Sequence, residues 1–398
     1  MSAEARMAKV MRASYGRLLA ILASSGGDII AAEDALSDAF SKALIHWPKE
    51  MPRNPEAWLL TVARNRLKDI YRKDKRIEFR DEVPEPEQVE VTIDSIPDDR
   101  LKLMFVCAHP AIDARIRTPL MLQTVVGLDS ETIAHAFLLP PATMAKRLVR
   151  AKTKIKASAV AFRVPEPEEL DDRVSAVLEA IYGTFSRDWL AENTLAEEAF
   201  FLATLLADLL PNNAEVLGLA AVIAFMLSRQ GARIRDGEFV PLEEQDPALW
   251  DHTLMQQARA YLTKAQLIGE LGRFQLEAAV HAVHADRFNT GAINWDALVH
   301  LYRGLSHLAP TIGTTVSYAA ALGRAIGPKE GLAALMRIDS KVRVSFAPAQ
   351  AVEAHFLEQM GRTEEAATAY DLAIALTVEV PLRAYLAAKR EALTPKLH

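Results

Sequence analysis

Nearly every apolar pattern in this chain repeats at a helical spacing, Ala and Leu are abundant, and no convincing run of alternating β-branched residues breaks the rhythm. That pattern predicts an all-α protein. At 398 residues the chain exceeds one ordinary core, so two or three domains are expected.

Two Pro- and Glu-rich stretches divide it. "DEVPEPEQVEVTIDSIP", Asp81–Pro97, holds six acidic residues, three prolines and no Lys or Arg, and is expected to be an extended linker. "RVPEPEEL", Arg163–Leu170, is a second break. The expected parts are therefore 1–80, a linker at 81–97, 98–162 and 170–398. In the last part, "GPKEGLAAL" from Gly327 and "GRTEEAATA" from Gly361 lie 34 residues apart. A glycine between short helices at that period is the signature of tetratricopeptide (TPR) repeats. Further helices are expected at Asp171–Phe185, Glu197–Leu209, Ala214–Leu227 and Trp250–Leu267.

Charge is unevenly spread. The net charge is −6, yet residues 1–163 carry 26 Lys and Arg against 21 Asp and Glu, and the remainder 20 against 31. A mildly basic first part admits a nucleic-acid partner. The one cysteine, Cys107, excludes an intrachain disulfide and suits a reducing cytosol. No apolar signal-peptide core follows the N-terminus, and apolar runs such as Val216–Leu227 fall short of the roughly 20 residues that span a bilayer. A cytoplasmic protein without membrane contact is expected.

The basic charge is concentrated on two helices. In "ETIAHAFLLPPATMAKRLVRAKTKI", Glu131–Ile155, no acidic residue follows Glu131. Asp129 can cap a short helix, Ser130–Ala136, and Pro141 suits the first turn of the next. From Pro141 to about Lys156, Met144, Leu148, Ala151 and Ile155 share one stripe. Thr143, Lys146, Arg147, Arg150 and Lys154 share another. This is the layout of a helix-turn-helix: the apolar stripe meets Ile133 and Ala134, and the basic one is free for a DNA major groove. "NPEAWLLTVARNRLKDIYRKDKR", Asn54–Arg76, sorts likewise. Leu59, Val62, Ala63, Leu67 and Ile70 form an apolar stripe opposite Thr61, Arg64, Asn65, Lys68, Arg72 and Lys75. Trp58 reads as a core residue, while the basic face suits a nucleic-acid backbone.

Together these residues resemble a bacterial RNA polymerase sigma factor of the extracytoplasmic-function group. "AEDALSDAF", Ala32–Phe40, is similar to region 2.2; "AWLLTVARNRLKD", Ala57–Asp69, to regions 2.3–2.4; and Ser130–Lys154 to region 4.2. "FVCAHPAI", "TMAKRLVRAK", "AEVLGLAAV" and "FQLEAAVHAVHA" resemble the subgroup with a long C-terminal TPR-like domain. The chain departs from the group at Ser37, where Gln is usual, at Leu138, where many members have Gly, and along Ile181–Trp189.

The resemblance implies two small helical sigma domains, the second a helix-turn-helix, followed by a helical TPR-like domain. It implies that Glu33, Asp34, Leu36, Asp38 and Phe40 meet core RNA polymerase at the β′ clamp helices, with the β flap a second polymerase contact. Arg64, Asn65, Lys68, Arg72 and Arg76 would hold the promoter −10 element, and Thr143, Lys146, Arg147, Arg150 and Lys154 the −35 element. The loop His46–Asn54 could shape a pocket for a flipped base. The acidic linker would either imitate a phosphate backbone in the polymerase channel or serve as a solvated tether. A regulatory protein or ligand is expected at the C-terminal part.

No catalytic constellation and no cofactor motif stands out. His281 and His284 lie at i, i+3 without a third ligand at metal spacing, which favours packing or surface placement. Cys107 beside His109 reads as a core residue. Two rival readings are a TPR-type interaction scaffold and a stand-alone helix-turn-helix DNA-binding regulator.

Overall fold

A computed structural model describes residues 3–48, 50–77, 96–137, 139–187 and 194–393. Asp81–Ser95 of the acidic linker lies outside the described residues, while Ile96 and Pro97 already open a helix. The described residues are almost wholly helical, as the apolar spacing predicts, and they form two compact units.

The first unit takes in α1 (Ala3–Ser24), α2 (Ile29–His46), α3 (Pro55–Ile77), α4 (Ile96–Cys107), α5 (Ala114–Thr124), α6 (Ser130–Ala136), α7 (Pro141–Ala157), α8 (Pro167–Arg187) and the first turns of α9 (Thr194–Leu209), to Leu205. Helices α1, α2 and α3 pack through Leu19, Leu22, Ile29, Leu36 and Leu59, all within 2% of complete burial. Helix α4 lies along α1, α5 packs on α4, and α6 and α7 form the helix-turn-helix.

The boundary expected at residue 170 is corrected here. Helix α8 packs on α4 and α5, burying Val174, Val177, Leu178 and Ile181. The start of α9 is held by the buried Arg100 of α4, which ion-pairs with Glu198 and lies 5.0 Å over the Phe201 ring. A Pro/Glu-rich stretch marks a turn in the chain; whether it marks a domain edge depends on where the next apolar stripe finds its partner.

The second unit begins at Leu206. It contains α10 (Ala214–Ser228), a hairpin of β1 (Ile234–Arg235) and β2 (Glu238–Phe239), α11 (His252–Ile268), α12 (Arg273–Ala285), α13 (Arg287–Thr290), α14 (Trp295–Leu308), α15 (Ile312–Ala325), α16 (Pro328–Leu335), α17 (Ser340–Val344), α18 (Ala347–Gln359), α19 (Thr363–Leu376) and α20 (Val380–Ala392). The hairpin departs from the expectation of helices alone. Asp236 and Gly237 carry positive φ of 54° and 83°, the backbone that a tight two-residue hairpin turn demands.

Helix α10 is the centre of this unit, buried on nearly every side. By length and composition Ala214–Ala232 could cross a membrane, contrary to the reading of its apolar run as too short, but 78% of it is buried within the protein. It is a core helix. Glu215 in its first turn accepts from the backbone N–H groups of Phe274 and Gln275, 3.1 and 3.2 Å away, and so caps α12. Gly218 makes the approach of α10 to α12 possible: a Cβ there would stand 2.7 Å from the Gln275 nitrogen. The 34-residue spacing in the sequence corresponds to α16, which packs on α15, and α19, which packs on α18.

Candidate polymerase and nucleic-acid interface

Helix α3 starts where Asn54 Oδ1 accepts from Ala57 N at 3.1 Å, with Pro55 in the first turn. Its N-terminus is fastened to α1 by Glu56, which accepts from Ser14 Oγ at 2.7 Å and ion-pairs with Arg17. Leu59, Ala63 and Leu67 are buried. Thr61, Asn65, Lys68 and Arg72 are exposed and Arg64 is half-buried. The side chains of Lys75 and Arg76 lie outside the described residues. The helical phase thus turns the described basic side chains away from the core, on a helix whose other face is fixed.

Beside this face, Trp58 is half-buried rather than a core residue. Its ring meets Trp47 edge-on, with centroids 5.7 Å apart, and His46 at 6.3 Å. Trp47 is buried, and its Nε1 has no hydrogen-bond partner among the described residues. An aromatic shelf therefore stands where the loop after α2 returns to α3, its outer rings being His46 and Trp58, with Trp47 packed beneath them. Sequence reasoning singled out that loop without naming Trp47.

In the helix-turn-helix, Asp129 accepts from Thr132 N at 2.8 Å and from Thr132 Oγ1 at 2.7 Å, and these hydrogen bonds hold its carboxyl below the usual range. Leu139 N donates to Ala134 O at 2.9 Å, closing the turn. Met144, Leu148, Ala151 and Ile155 are buried, as are Ile133 and Ala134. Lys146, Arg147, Arg150 and Lys154 are exposed, and Thr143 is partly so.

Helix α2 behaves differently from the expectation. Leu36 is fully buried, so its role is to seat α2 on its neighbours, and it offers no surface to a partner. Glu33 is held by Lys152 of α7 at 2.6 Å, with 20% and 8% of their side chains exposed. Burial pushes the Glu33 carboxyl above its usual range, against the pull of Lys152. Asp28 caps α2 by accepting from Ile30 N and Ala31 N, and meets Lys156 of α7 at 2.7 Å. Asp34 is exposed, Asp38 pairs with Lys42 at 2.8 Å, and Phe40 stacks on Tyr15 at 6.3 Å. Two ion pairs thus join the N-terminal half of α2 to the recognition-type helix α7. Lys152 supplies the cation of one pair and Lys156 that of the other.

Removing one partner of such a pair strands the other charge. Lys152→Met is expected to cost about 2 kcal/mol, below the figure for a fully buried pair because Glu33 keeps some solvent. The double variant Glu33→Leu with Lys152→Met should recover most of that loss. Urea unfolding of the two single variants and the double variant measures the coupling, and additive losses would dismiss it.

Cys107 is fully buried, with Sγ 3.4 Å from Thr124 Oγ1. Burial pushes its thiol up to about 12, so the group stays protonated in the core.

Residues 10–77, the three helices carrying the aromatic shelf and the α3 basic face, match the family model for Sigma-70 region 2. The chain carries a sigma-70 region 2 domain, which supports a sigma-70 family factor. It also matches a family of unknown function (DUF6596) over residues 173–266, from α8 into α11. The uncharacterized protein R00370 of Rhizobium meliloti (strain 1021) is 33% identical to it over 377 residues, 89% of this chain and 88% of that protein. The two are therefore related almost from end to end. No solved structure matches. The region 2 domain supports association with core RNA polymerase and a part in promoter-specific initiation of transcription.

Proposed function

We propose that this sigma factor is of the extracytoplasmic-function type. In this reading α3 holds the promoter −10 element, through Arg64, Asn65, Lys68, Arg72 and Arg76. Helix α7 docks at the −35 element, through Thr143, Lys146, Arg147, Arg150 and Lys154. The observation that carries the reading is the exposed basic face of α3, on a helix within the region 2 match and beside an aromatic shelf. Exposed cations neutralise phosphates, and aromatic rings accept unstacked bases at about 1–3 kcal/mol each.

Asp34, with Asp38 and Phe40, faces the β′ clamp. Glu33 joins them only by exchanging Lys152 for a cation of the polymerase, so binding to the clamp competes with the α2–α7 ion pair. The β flap is the expected second polymerase contact. The acidic linker connects the two DNA-facing helices of a protein that works in the cytoplasm.

The second unit acts as a regulatory, TPR-like element. The paired helices α15–α16 and α18–α19 and the acidic balance of the C-terminal part support this role. A truncation that tests it belongs after Leu205, because α8 and the start of α9 complete the core of the first unit. Unchanged promoter output from that truncation in cells would remove the regulatory role. For the whole reading, affinity capture with purified core polymerase is decisive. Retention of polymerase separates a sigma factor from a scaffold and from a stand-alone regulator, and absence of retention favours the rivals.

A further inference from the structure

Arg229 ends α10 and is 5% exposed in the second unit. Its Nη2 stands 2.9 Å from His281 Nδ1 on α12. Its Nη1 is buried with no hydrogen-bond partner among the described residues. Among the described residues no carboxylate forms an ion pair with it; burial, with the like charges of Arg233 and Arg287 and against the opposing influence of Tyr302, pulls the guanidinium down to about 9. A buried guanidinium without a counter-charge is costly, and further cations beside it raise the cost.

Two more buried polar atoms of this unit, Trp250 Nε1 and His284 Nδ1, lack partners among the described residues. Asp251 N donates to Ser228 O at 2.7 Å, which brings Trp250 beside the end of α10. The Arg287 guanidinium lies 5.2 Å over the Trp250 ring. His284 follows His281 by one helical turn and feels the charges of both Arg229 and Arg287. His281, His284 and Arg287 keep partial exposure, so the group lies close to the surface, while the three unpartnered atoms themselves are buried. Three polar atoms without partners among the described residues thus belong to neighbouring parts of the second unit, with Arg233 and Arg287 adding positive charge and Glu243 and Asp246 acting on Arg287 alone. A buried polar cluster is stable when its hydrogen-bonding capacity is filled, and here the missing partner is an acceptor with negative charge.

We propose that Arg229, Trp250 and His284 form a binding site for a small oxyanion, the carboxylate or phosphate group of a metabolite-sized ligand. The anion accepts from Arg229 Nη1 and Trp250 Nε1, and from His284 Nδ1 in the tautomer that carries its proton there. Arg233 and Arg287 supply field. The site does not depend on the promoter reading, since it lies within the second unit and its test involves no DNA.

The test is isothermal titration calorimetry of the full chain with inorganic phosphate and, separately, succinate, against sodium chloride at matched ionic strength. Saturable one-site binding is expected for at least one probe, with a dissociation constant at or below about 1 mM. Binding of phosphate alone points to a phosphorylated ligand, and binding of succinate alone to a carboxylate. Trp250→Phe keeps an aromatic side chain and removes one donor, and should weaken binding about 5- to 10-fold. Arg229→Met should weaken it more than 10-fold. If Arg229→Met fails to fold, the wild-type titration and Trp250→Phe still decide. No saturation by either probe below about 10 mM, or Trp250→Phe binding as the wild type does, overturns the proposal.

Discussion

Gly16→Ala should cost the first unit about 3 kcal/mol of stability, the upper end of what overpacking usually does. A Cβ on Gly16 would stand 1.6 Å from the carbonyl oxygen of Val125 and 2.6 Å from its carbon. Both are backbone atoms, so no rotamer change relieves the collision, and α1 must part from the end of α5. For a unit of this size the melting temperature should fall by roughly 6–12 °C. Gly183 in α8 provides the control: a Cβ there meets nothing within 4 Å. Gly183→Ala should be neutral or gain about 0.5–1 kcal/mol from the lower backbone freedom of the unfolded chain. Equal melting temperatures for the two variants would show that α1 and α5 do not meet at this distance.

Replacing Lys146, Arg147 and Arg150 together by alanine should abolish most promoter binding by the polymerase complex while leaving the fold intact. All three side chains are exposed on α7. Each lost contact to a phosphate or a base edge is worth about 1–3 kcal/mol, so the triple variant should lose at least about 100-fold in affinity. The slope of log affinity against log salt should also fall by up to about 2.7, three times the value for one phosphate. Binding is measured with core polymerase present, by fluorescence anisotropy of a labelled promoter across salt concentrations. The companion variant, Lys68→Ala with Arg72→Ala on α3, should impair promoter opening, read as permanganate reactivity of the melted bases. Full promoter affinity in the α7 triple variant would show that this face points at something other than DNA.

The parts of this molecule that could be read directly are those governed by local periodicity. Asp129, the two prolines and the 3.6-residue phase set the helix-turn-helix at Ser130–Ala136 and Pro141–Ala157, and both helices lie where the residues place them. The exposure of Lys68 and Arg147 follows from the same phase. What stayed hidden depends on which stripe finds which. Leu36 carries the region 2.2 resemblance, yet its stripe turns inward. Glu33 reads as a surface acid until Lys152, 119 residues away, is brought against it. The boundary after Leu170 was misplaced because the apolar stripe of α8 packs backwards onto α4 and α5. Gly16 was unreadable for the same reason: its need to be glycine is set by a carbonyl more than a hundred residues along the chain. The Arg229 cluster assembles side chains from the end of α10, from α12 and α13 and from the segment before α11, and no local pattern announces it.

Run-off transcription with purified core polymerase, the full-length chain and the upstream region of its own gene tests the central claim most directly. A discrete transcript from one start site, present only when the chain is added and lost with the α7 triple variant, is the expected result. A chain that neither binds core polymerase nor yields a defined transcript, although the same polymerase initiates normally with another sigma factor, would contradict the account.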